Sequence, residues 1–336
     1  MNQGISVIIC CYNSGERLLN TLKYLAEQRI SPEIPVEIVL VNNASSDNTK
    51  ETAQSEWQKY QTSFLFKIVD ERQAGLIFAR RKGVETASCK YVVFCDDDNW
   101  LRNDYLQNAY NLMEANPNIG VLGGQSEGVS DIDFPEWFDD FKYCYAIGKQ
   151  SKQNGNISYR KYIWGAGMVA RRFLMDKVFD PSFPFLLFGR KGNTLLAGDD
   201  SEVCRRVLLL GYDLFYHDSL FYYHQIPAAR LTEQYQKKLL EGFTNAIPIL
   251  VRYDNVIDTV RLSTARQLKE IFILFFKETI RFFVSRKKKD HLALRAKMAI
   301  LFKKRNFIQD EEYHIVLDFY FTGMRTQSGG QISSGV

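Results

Sequence analysis

The chain contains 336 residues, enough for one large domain or two smaller ones, and 46% of them are hydrophobic. Such a content can form a sizeable core, so the composition excludes a largely disordered protein. The formal net charge at pH 7 is only +4, which does not indicate a nucleic-acid-binding protein, and we expect no nucleic-acid partner.

The cysteines and the apolar runs indicate a cytoplasmic location. The six cysteines include no CxxC pair, so the sequence predicts reduced thiols and no structural zinc site. The N-terminus runs directly into a strand pattern, and we therefore expect no secretory signal. No uncharged apolar stretch reaches about 18 residues, so we expect no membrane-spanning helix.

The first 125 residues alternate between strand and helix patterns. Apolar runs rich in β-branched and aromatic residues predict strands, and apolar residues at helical spacing predict helices. The predicted strands are Ile5–Cys11, Val36–Val41, Phe64–Val69, Tyr91–Cys95 and Ile119–Gly123, and the predicted helices are Ser14–Glu27, Asp47–Tyr60, Leu76–Thr86 and Asp104–Ala115. This alternation predicts an α/β fold with a mostly parallel sheet and helices on both faces.

The character of the chain changes after this region. Residues 126–164 show no clear period, which predicts loops and short helices over the edge of the sheet. Residues 264–326 combine apolar helical patterns with basic clusters and predict a helical C-terminal region. The Gly/Ser-rich residues 327–336 predict a disordered tail.

Three consecutive carboxylates follow one of the predicted buried strands. Asp96, Asp97 and Asp98 come directly after Tyr91–Cys95. Adjacent carboxylates at the end of a buried strand repel one another, and their desolvation costs several kcal/mol unless a cation compensates. Oxygen ligands of this kind suit Mg²⁺ or Mn²⁺, so the cluster predicts a metal site. The alternative interpretation is a solvated acidic turn.

Polar residues also follow the other predicted strands. Tyr12 and Asn13 follow the first strand, and Asn42 and Asn43 follow the second. Open α/β sheets bind ligands at the carboxyl ends of their strands. These residues and the carboxylate cluster are therefore predicted to border one binding site.

A second acidic pair precedes a later helix pattern. Asp199, with Glu202 three residues later, is typical of a helix N-cap in a capping box. Asp200 would then lie in the first turn, where the helix dipole favours its ionised form. An ionised carboxylate held at a helix start suits a general base, so Asp200 is a candidate catalytic residue.

These motifs together resemble glycosyltransferase family 2, whose members have the nucleotide-sugar-binding GT-A fold. The resemblance covers roughly residues 4–225 and rests on five pieces in order. They are Ser6–Asn13, Val41–Asp47, Gly75 with Ala79-Arg80, Phe94–Asp98 in place of the DxD motif, and Gly198–Asp200 with Arg205 and Gly211-Tyr212.

The resemblance implies an inverting transferase that moves one sugar from a nucleotide sugar, with UDP as the expected nucleotide, to a hydroxyl acceptor in glycan synthesis. It implies that Asp200 deprotonates the acceptor. It implies a donor site formed by Tyr12, Asn13, Asn43, Arg80, Asp96, Asp97 and Asp199. Residues 1–263 would form the catalytic domain, with the donor part at 1–125 and the acceptor side at 126–263.

The expected cofactor is Mn²⁺ or Mg²⁺. Asp98 is the expected direct ligand, with Asp96 beside it. His224 follows the aromatic strand pattern Leu220–Tyr223 and is a further candidate ligand, or alternatively a structural histidine. Departures from the family pattern include the asparagines at positions 42 and 43 and the aspartate at 199. The Gln-x-x-Arg-Trp element of processive members is absent, which favours the addition of one sugar per encounter.

Other interpretations remain open at the level of sequence. A nucleotidyltransferase can use a similar sheet and metal. A glycoside hydrolase also needs two carboxylates. A third alternative is a protein that binds a nucleotide sugar without catalysing a reaction. The acceptor is expected to be a glycan or a lipid-linked glycan. The apolar and basic C-terminal helices would contact an anionic membrane, a second subunit or the catalytic domain itself.

Overall fold

The fold is described from a computed structural model, which covers residues 2–191, 194–195, 197–262, 264–285, 292–302 and 309–328. Its strands are β1 (Asn2–Cys11), β2 (Val36–Asn43), β3 (Leu65–Glu71), β4 (Cys89–Asp96), β5 (Asn99–Leu101), β6 (Ile119–Val129), β7 (Gly148–Lys149), β8 (Gly155–Asn156), β9 (Met168–Arg171), β10 (Arg190–Lys191), β11 (Thr194–Leu195) and β12 (Asp213–Gln225).

One large sheet organises the protein. Its strand order is β3-β2-β1-β4-β9-β6-β12-β5, with β7 beside β6 and β8 beside β12. β1 to β4 are parallel to one another, as predicted from the alternating pattern. β9 runs antiparallel between β4 and β6, and the sheet is therefore mixed in its second half.

Both faces of the sheet are buried, which explains why its strands are continuous apolar runs rather than alternating ones. Ile8 and Phe94 lie side by side in the register of β1 and β4 and belong to the core on one face. Their neighbours Val7 and Val93 belong to the core on the other face. Because alternate residues face opposite sides, each strand contributes to two cores.

Helices cover the two faces. They are α1 (Leu18–Ala26), α2 (Thr49–Trp57), α3 (Leu76–Thr86), α4 (Tyr105–Ala115), α5 (Phe138–Phe141), α6 (Arg172–Val178), α7 (Asp199–Leu209), α8 (Glu233–Val260), α9 (Thr264–Ser285), α10 (Leu292–Phe302) and α11 (Glu311–Ser328). Within the described ranges, no helix has the length and apolar character needed to cross a membrane.

The C-terminal helical region is present, and part of it belongs to the core. Tyr313 and Val316 of α11 and Ala299 of α10 are fully buried in the same core as α7 and α8. Arg252 of α8 forms an ion pair with Asp310 just before α11, at 2.8 Å. Two of these helices therefore pack on the α/β unit, whereas α9 leaves several large apolar side chains exposed.

The predicted capping box at Asp199 is wrong. The residue that precedes α7 is Gly198, with φ of 100°, and no side chain caps the helix. Glu202 instead accepts hydrogen bonds from the backbone N–H groups of Leu186 and Leu187, and Asp199 forms an ion pair with Arg80. Contacts with distant segments have replaced the local hydrogen bonds that the sequence pattern indicated.

Most predicted strands and helices differ from the structure by a few residues at their ends. Two larger regional boundaries also differ. β6 extends to Val129, so the irregular region predicted from residue 126 begins later. Residues 327 and 328 complete α11, and residues 329–336 of the predicted tail lie outside the described part of the chain.

Glu202 and Arg206 form a buried ion pair within α7. The two side chains are fully buried and their closest atoms are 3.0 Å apart. Tyr253 of α8 donates to the same carboxylate at 2.7 Å. The guanidinium also donates to the backbone carbonyl oxygens of Val178, Phe183 and Pro184. This cluster fixes the segment that leads into the start of α7.

We expect Arg206→Met to destabilise the protein by about 3–5 kcal/mol, because it leaves the carboxylate of Glu202 buried without its cation. The urea midpoint of unfolding measures the effect. Arg172→Met is the matched control, since Arg172 forms the same i,i+4 kind of pair with Asp176 at the surface, 3.4 Å apart. The loss there should be at most about 1 kcal/mol. Equal midpoint shifts in the two variants would contradict a structural role for the buried pair.

Candidate functional site

A cavity of about 1420 Å³ lies at the carboxyl ends of β1, β2 and β4. It is larger than the roughly 300–1000 Å³ that is usual for a single small-molecule site. The start of α7, residues 160–166 and one side of α8 form its opposite wall. The residues to which the sequence assigned a role at the site line this cavity: Tyr12, Asn13, Asn43, Arg80, Asp96, Asp97, Asp98, Asp199, Asp200 and His224. Asn42, which was also predicted to border the site, is not among the lining residues, and its side chain donates to Asp70 at 3.0 Å.

The loops after β1 and β2 are joined through Asn13. Its φ is 49°, in the left-handed region that asparagine tolerates better than most residues. In this conformation its side-chain Oδ1 accepts a hydrogen bond from the backbone N–H of Ser46 at 2.8 Å. Its own N–H donates to Ser45 Oγ at 3.1 Å. The neighbouring Tyr12 is 49% exposed and offers a ring at this end of the cavity.

Asn43 shapes a loop that borders the cavity. Its Nδ2 donates to the carbonyl oxygens of Glu71 and Gln73, at 3.1 and 2.7 Å, and its Oδ1 accepts from the backbone N–H of Gly75 at 2.9 Å. The side-chain amide of Asn43, which was predicted to form part of the donor site, is therefore already hydrogen-bonded to the backbone of residues 71–75. The hydrogen bonds of Asn43 fix the position of this loop.

Asp97 is held by residues at the start of α1. Its carboxylate forms an ion pair with Arg17, 2.8 Å apart, and accepts a hydrogen bond from Ser14 Oγ. Its backbone carbonyl oxygen accepts from Thr21 Oγ1 at 2.9 Å. These contacts fix the turn after β4.

Asp98 contacts three residues with donor groups. One oxygen lies 2.9 Å from the guanidinium of Arg230, and the other lies 3.4 Å from His224 Nε2 and 3.2 Å from Asn99 Nδ2. His224 Nδ1 is buried and has no hydrogen-bond partner among the described residues. The sequence-predicted pair of Asp98 and His224 is thus adjacent in space.

The carboxylate cluster favours a cation. Burial raises the pKa of Asp96 and of Asp97, and the negative charge of Asp98 raises both pKa values further. The carboxylate oxygens and the imidazole of His224 form a donor set that suits Mn²⁺ or Mg²⁺. Within the described ranges no three such side chains are already arranged around one point.

Arg80 lies between the carboxylate cluster and the pair Asp199 and Asp200. It is 4% exposed, and its guanidinium lies 2.7 Å from Asp199. It also lies over the ring of Phe94, 5.5 Å from the ring centre. Burial raises the pKa of both Asp96 and Asp200, and the positive charge of Arg80 offsets part of that rise for each of them. Arg80 therefore interacts electrostatically with both the carboxylate cluster and the predicted base.

Asp200 is held by backbone N–H groups at the edge of the cavity. Its two oxygens accept from Gly165 N at 3.0 Å and from Ser201 N at 2.7 Å. Burial, followed by the negative charge of Asp199, raises the pKa of Asp200 to about 6. The carboxyl group is therefore fixed in direction and titrates near neutral pH, which suits a general base.

Gly165 permits this arrangement because it has no side chain. A Cβ atom at this position would lie 2.4 Å from Arg80 Nη2. The glycine therefore allows the backbone to approach both Arg80 and Asp200.

Arg17, Arg230 and Gly165 are among the site residues that were not predicted from the sequence. Residues 225–231 echo the Gln-x-x-Arg-Trp element of processive members only loosely, and Arg230 within them was given no role at the site. Its ion pair with Asp98 spans 132 positions of sequence. A cation near the carboxylate cluster was an expected requirement, but no local pattern identified which arginine supplies it.

Comparison with known proteins identifies the family. The family described as "Glycosyl transferase family 2" matches residues 6–179. Glycosyltransferase GlyA of Streptococcus pneumoniae is 24% identical over 275 residues, which cover 80% of this chain and 37% of GlyA. The chain spans less than two thirds of the length of the first curated relatives that it matches.

Solved structures share the fold. S. aureus TarS 1-349 in complex with UDP-GlcNAc has a TM-score of 0.54 and 16% identity, with coverage of 99% of this chain and 93% of TarS. A mannosyltransferase from Pyrobaculum calidifontis in complex with GDP-Man and Mn²⁺ has a TM-score of 0.51 and 15% identity, with coverage of 100% and 77%. The predicted GT-A fold is confirmed.

Proposed function

The chain belongs to glycosyl transferase family 2, and we propose that it transfers one sugar from a nucleotide sugar to a hydroxyl group with inversion. The observation that carries the proposal is the shared cavity, in which the Asp96–Asp98 cluster and Asp200 face the same space. The base end of the donor lies at Tyr12, and its diphosphate lies at the carboxylate cluster. The donor sugar then lies beside Asp200.

Asp200 acts as the general base. Its carboxylate accepts the proton of the acceptor hydroxyl as the hydroxyl oxygen attacks the anomeric carbon. The bond between the anomeric carbon and the diphosphate oxygen breaks, and the nucleoside diphosphate leaves. Attack opposite the departing oxygen inverts the anomeric configuration. The hydrogen bonds from Gly165 and Ser201 keep the carboxylate in one orientation during this step.

Asp98, Asp96 and His224 would hold a divalent metal ion at the diphosphate. When bound, the ion neutralises negative charge that develops on the departing diphosphate. Arg80 holds Asp199 and lies close enough to affect Asp96 electrostatically. Arg80 fixes the position of the donor side of the cavity relative to the side that carries Asp200.

A UDP sugar is the proposed donor. The TarS structure contains UDP-GlcNAc and the mannosyltransferase structure contains GDP-Man, so UDP-GlcNAc and GDP-mannose form the first test pair. The experiment measures Mn²⁺-dependent release of the nucleoside diphosphate from each donor with a panel of neutral and anionic glycan acceptors. The configuration of the new bond is read by NMR.

The products distinguish this function from the alternatives. A glycosyltransferase releases a nucleoside diphosphate and forms a glycosidic bond. A nucleotidyltransferase acting in reverse would need added pyrophosphate and would release a sugar 1-phosphate and a nucleoside triphosphate instead. A binding protein would release nothing. Retention of the anomeric configuration would overturn the direct displacement at Asp200.

We also propose a domain division at residue 263, with residues 1–263 as the catalytic domain. Most donor groups come from residues 1–125, with Asp199 and His224 added from the second part, and acceptor contacts come from residues 126–263. The division is supported by the cavity, whose lining residues all lie between Cys10 and Leu250.

We further propose that α9 contacts an anionic membrane surface. Leu268, Phe272 and Phe276 are 52%, 71% and 59% exposed, and they lie at helical spacing beside Lys269 and Lys277. Exposed apolar residues with basic neighbours suit an interfacial helix. A lipid-linked acceptor would then be presented at the same surface.

We expect Phe272→Glu to reduce flotation of the full chain with anionic liposomes at low salt. Phe243→Glu is a control, since that residue is an exposed phenylalanine on α8 rather than on α9. If the wild-type chain stays in the soluble fraction, the membrane contact is wrong. A dimer that Phe272→Glu dissociates would assign the exposed face to a second copy of the chain.

A further inference from the structure

Arg160 differs from the other arginines that line the cavity. Arg17, Arg80, Arg205 and Arg230 each form an ion pair with a carboxylate, at 2.7 to 2.9 Å. Arg160 has no carboxylate within ion-pair distance in the part of the chain that the structure describes. Its guanidinium donates a hydrogen bond to the neutral hydroxyl of Tyr162, at 2.7 Å.

The side chain of Arg160 is nevertheless held in place. Its guanidinium lies over the ring of Tyr162, with the central carbon 4.5 Å from the ring centre. This stacking limits the number of conformations that the long side chain must lose when it binds a ligand. A guanidinium that is fixed, half-buried and open to a cavity favours an anionic ligand, because it presents several N–H donors to one acceptor group.

The segment that carries Arg160 runs along α7 away from the proposed base. Gly165 donates to Asp200, Ile163 donates to Cys204 Sγ at 3.3 Å, and the carbonyl oxygen of Lys161 accepts from Arg205 at 3.0 Å. Asp200 and Arg205 are five helical positions apart, which corresponds to about 7–8 Å along the axis. From Gly165 back to Lys161, the residues of this segment therefore contact α7 at points increasingly far from Asp200. The farthest of these points, at Arg205, is about the length of one sugar unit from Asp200.

Arg160 also lies away from the nucleotide end. Tyr12 and Asn43 follow β1 and β2, in the parallel half of the sheet. The segment of Arg160 begins at β8, which pairs with β12 in the other half, beyond β4 and β9. Asp96–Asp98, after β4, lie between these two sides. The guanidinium is therefore placed on the acceptor side of the cavity rather than at the donor base.

We propose that Arg160 forms an acceptor subsite for an anionic group, a phosphate or a carboxylate, carried about one sugar unit from the hydroxyl that is glycosylated. This inference rests on the proposed function, because it takes Asp200 as the point where the acceptor hydroxyl lies. It deepens that function by naming a charge that the acceptor must carry. Neighbouring Lys161 does not share the role, because it is paired with Asp258 at 2.7 Å.

The test uses the full chain saturated with UDP and Mg²⁺, so that the proposed diphosphate position is filled. Ligand-observed NMR titrations then compare glucose 6-phosphate, glucuronate and glucose as probes. We expect the wild type to bind at least one anionic probe about ten- to a hundred-fold more tightly than glucose, the range expected for a hydrogen-bonded charge. Arg160→Gln should remove this preference without changing the affinity for glucose.

Two further variants make the result specific. Arg160→Lys keeps the charge but loses the stacked planar group, and it should retain only part of the preference. Lys152→Gln removes an exposed charge that lies outside the cavity and should bind all three probes as the wild type does.

An unchanged preference in Arg160→Gln, or no preference in the wild type, overturns the subsite. A titration of the same chain with UDP, together with the assay of UDP release from a UDP sugar, separates this outcome from a failure of the proposed function. A chain that binds UDP and releases it from a UDP sugar, but shows no anion preference, retains the proposed function and loses only the subsite.

Discussion

Asp200→Asn is expected to lower the rate of sugar transfer by at least about 10²-fold, the usual contribution of a general base. The amide has nearly the same shape as the carboxylate and can still accept a hydrogen bond from Ser201 or Gly165. It cannot take the proton of the acceptor hydroxyl. The affinity for the nucleotide sugar should therefore stay unchanged, and the loss should appear in kcat.

The pH dependence gives a second measurement of the same residue. Because the pKa of Asp200 is raised to about 6, its carboxylate is ionised above this pH and becomes protonated below it. Transfer by the wild type should fall about tenfold per pH unit below pH 6, whereas the residual rate of Asp200→Asn should lack this dependence.

Asp104→Asn is the matched control for a lost carboxylate. Asp104 precedes α4 and pairs with Arg102 outside the cavity, at 2.6 Å. It should transfer sugar at the rate of the wild type. Near-normal turnover in Asp200→Asn would show that Asp200 is not the base and that another residue takes the proton. The role of Asp200 would then be limited to its hydrogen bonds at the start of α7.

Asp98→Asn is expected to remove metal-dependent donor binding and to reduce transfer by at least about 10²-fold, because the metal supplies several kcal/mol of charge stabilisation. The asparagine keeps the size of the side chain but loses the negative charge that would hold the ion. Titration of Mn²⁺ into EDTA-treated protein with UDP measures the effect. The hydrogen bond from Asn99 limits the structural damage of this substitution.

The adjacent Asp97→Asn distinguishes the metal site from a general loss of charge. The carboxylate of Asp97 is occupied by Arg17 and Ser14, so this variant should lose stability while it keeps its Mn²⁺ dependence. If Asp97→Asn lost the response to Mn²⁺ and Asp98→Asn kept it, Asp97 rather than Asp98 would be the metal ligand. An unchanged response in both variants would exclude the cluster as the metal site.

The sequence alone determined the elements and the place of the site. Strands buried on both faces need continuous apolar runs, and such runs are visible without any structure. Parallel strands bring their carboxyl ends to one edge, so Tyr12, Asn43 and the cluster after β4 could be assigned to one cavity. The start of α7 was also predictable, and with it the candidate base Asp200.

Only the tertiary structure decided which partners these side chains have. Arg80 pairs with Asp199 across 119 positions, and this contact replaced the local cap that the sequence pattern predicted. Arg230 pairs with Asp98, and β9 enters the sheet in the opposite direction to β4.

Local patterns report the secondary structure of a segment and the face that it buries. A buried charge instead pairs with a residue that the packed core brings within about 3 Å, and this residue often belongs to a distant segment. The sequence around the charge therefore does not show which residue this is.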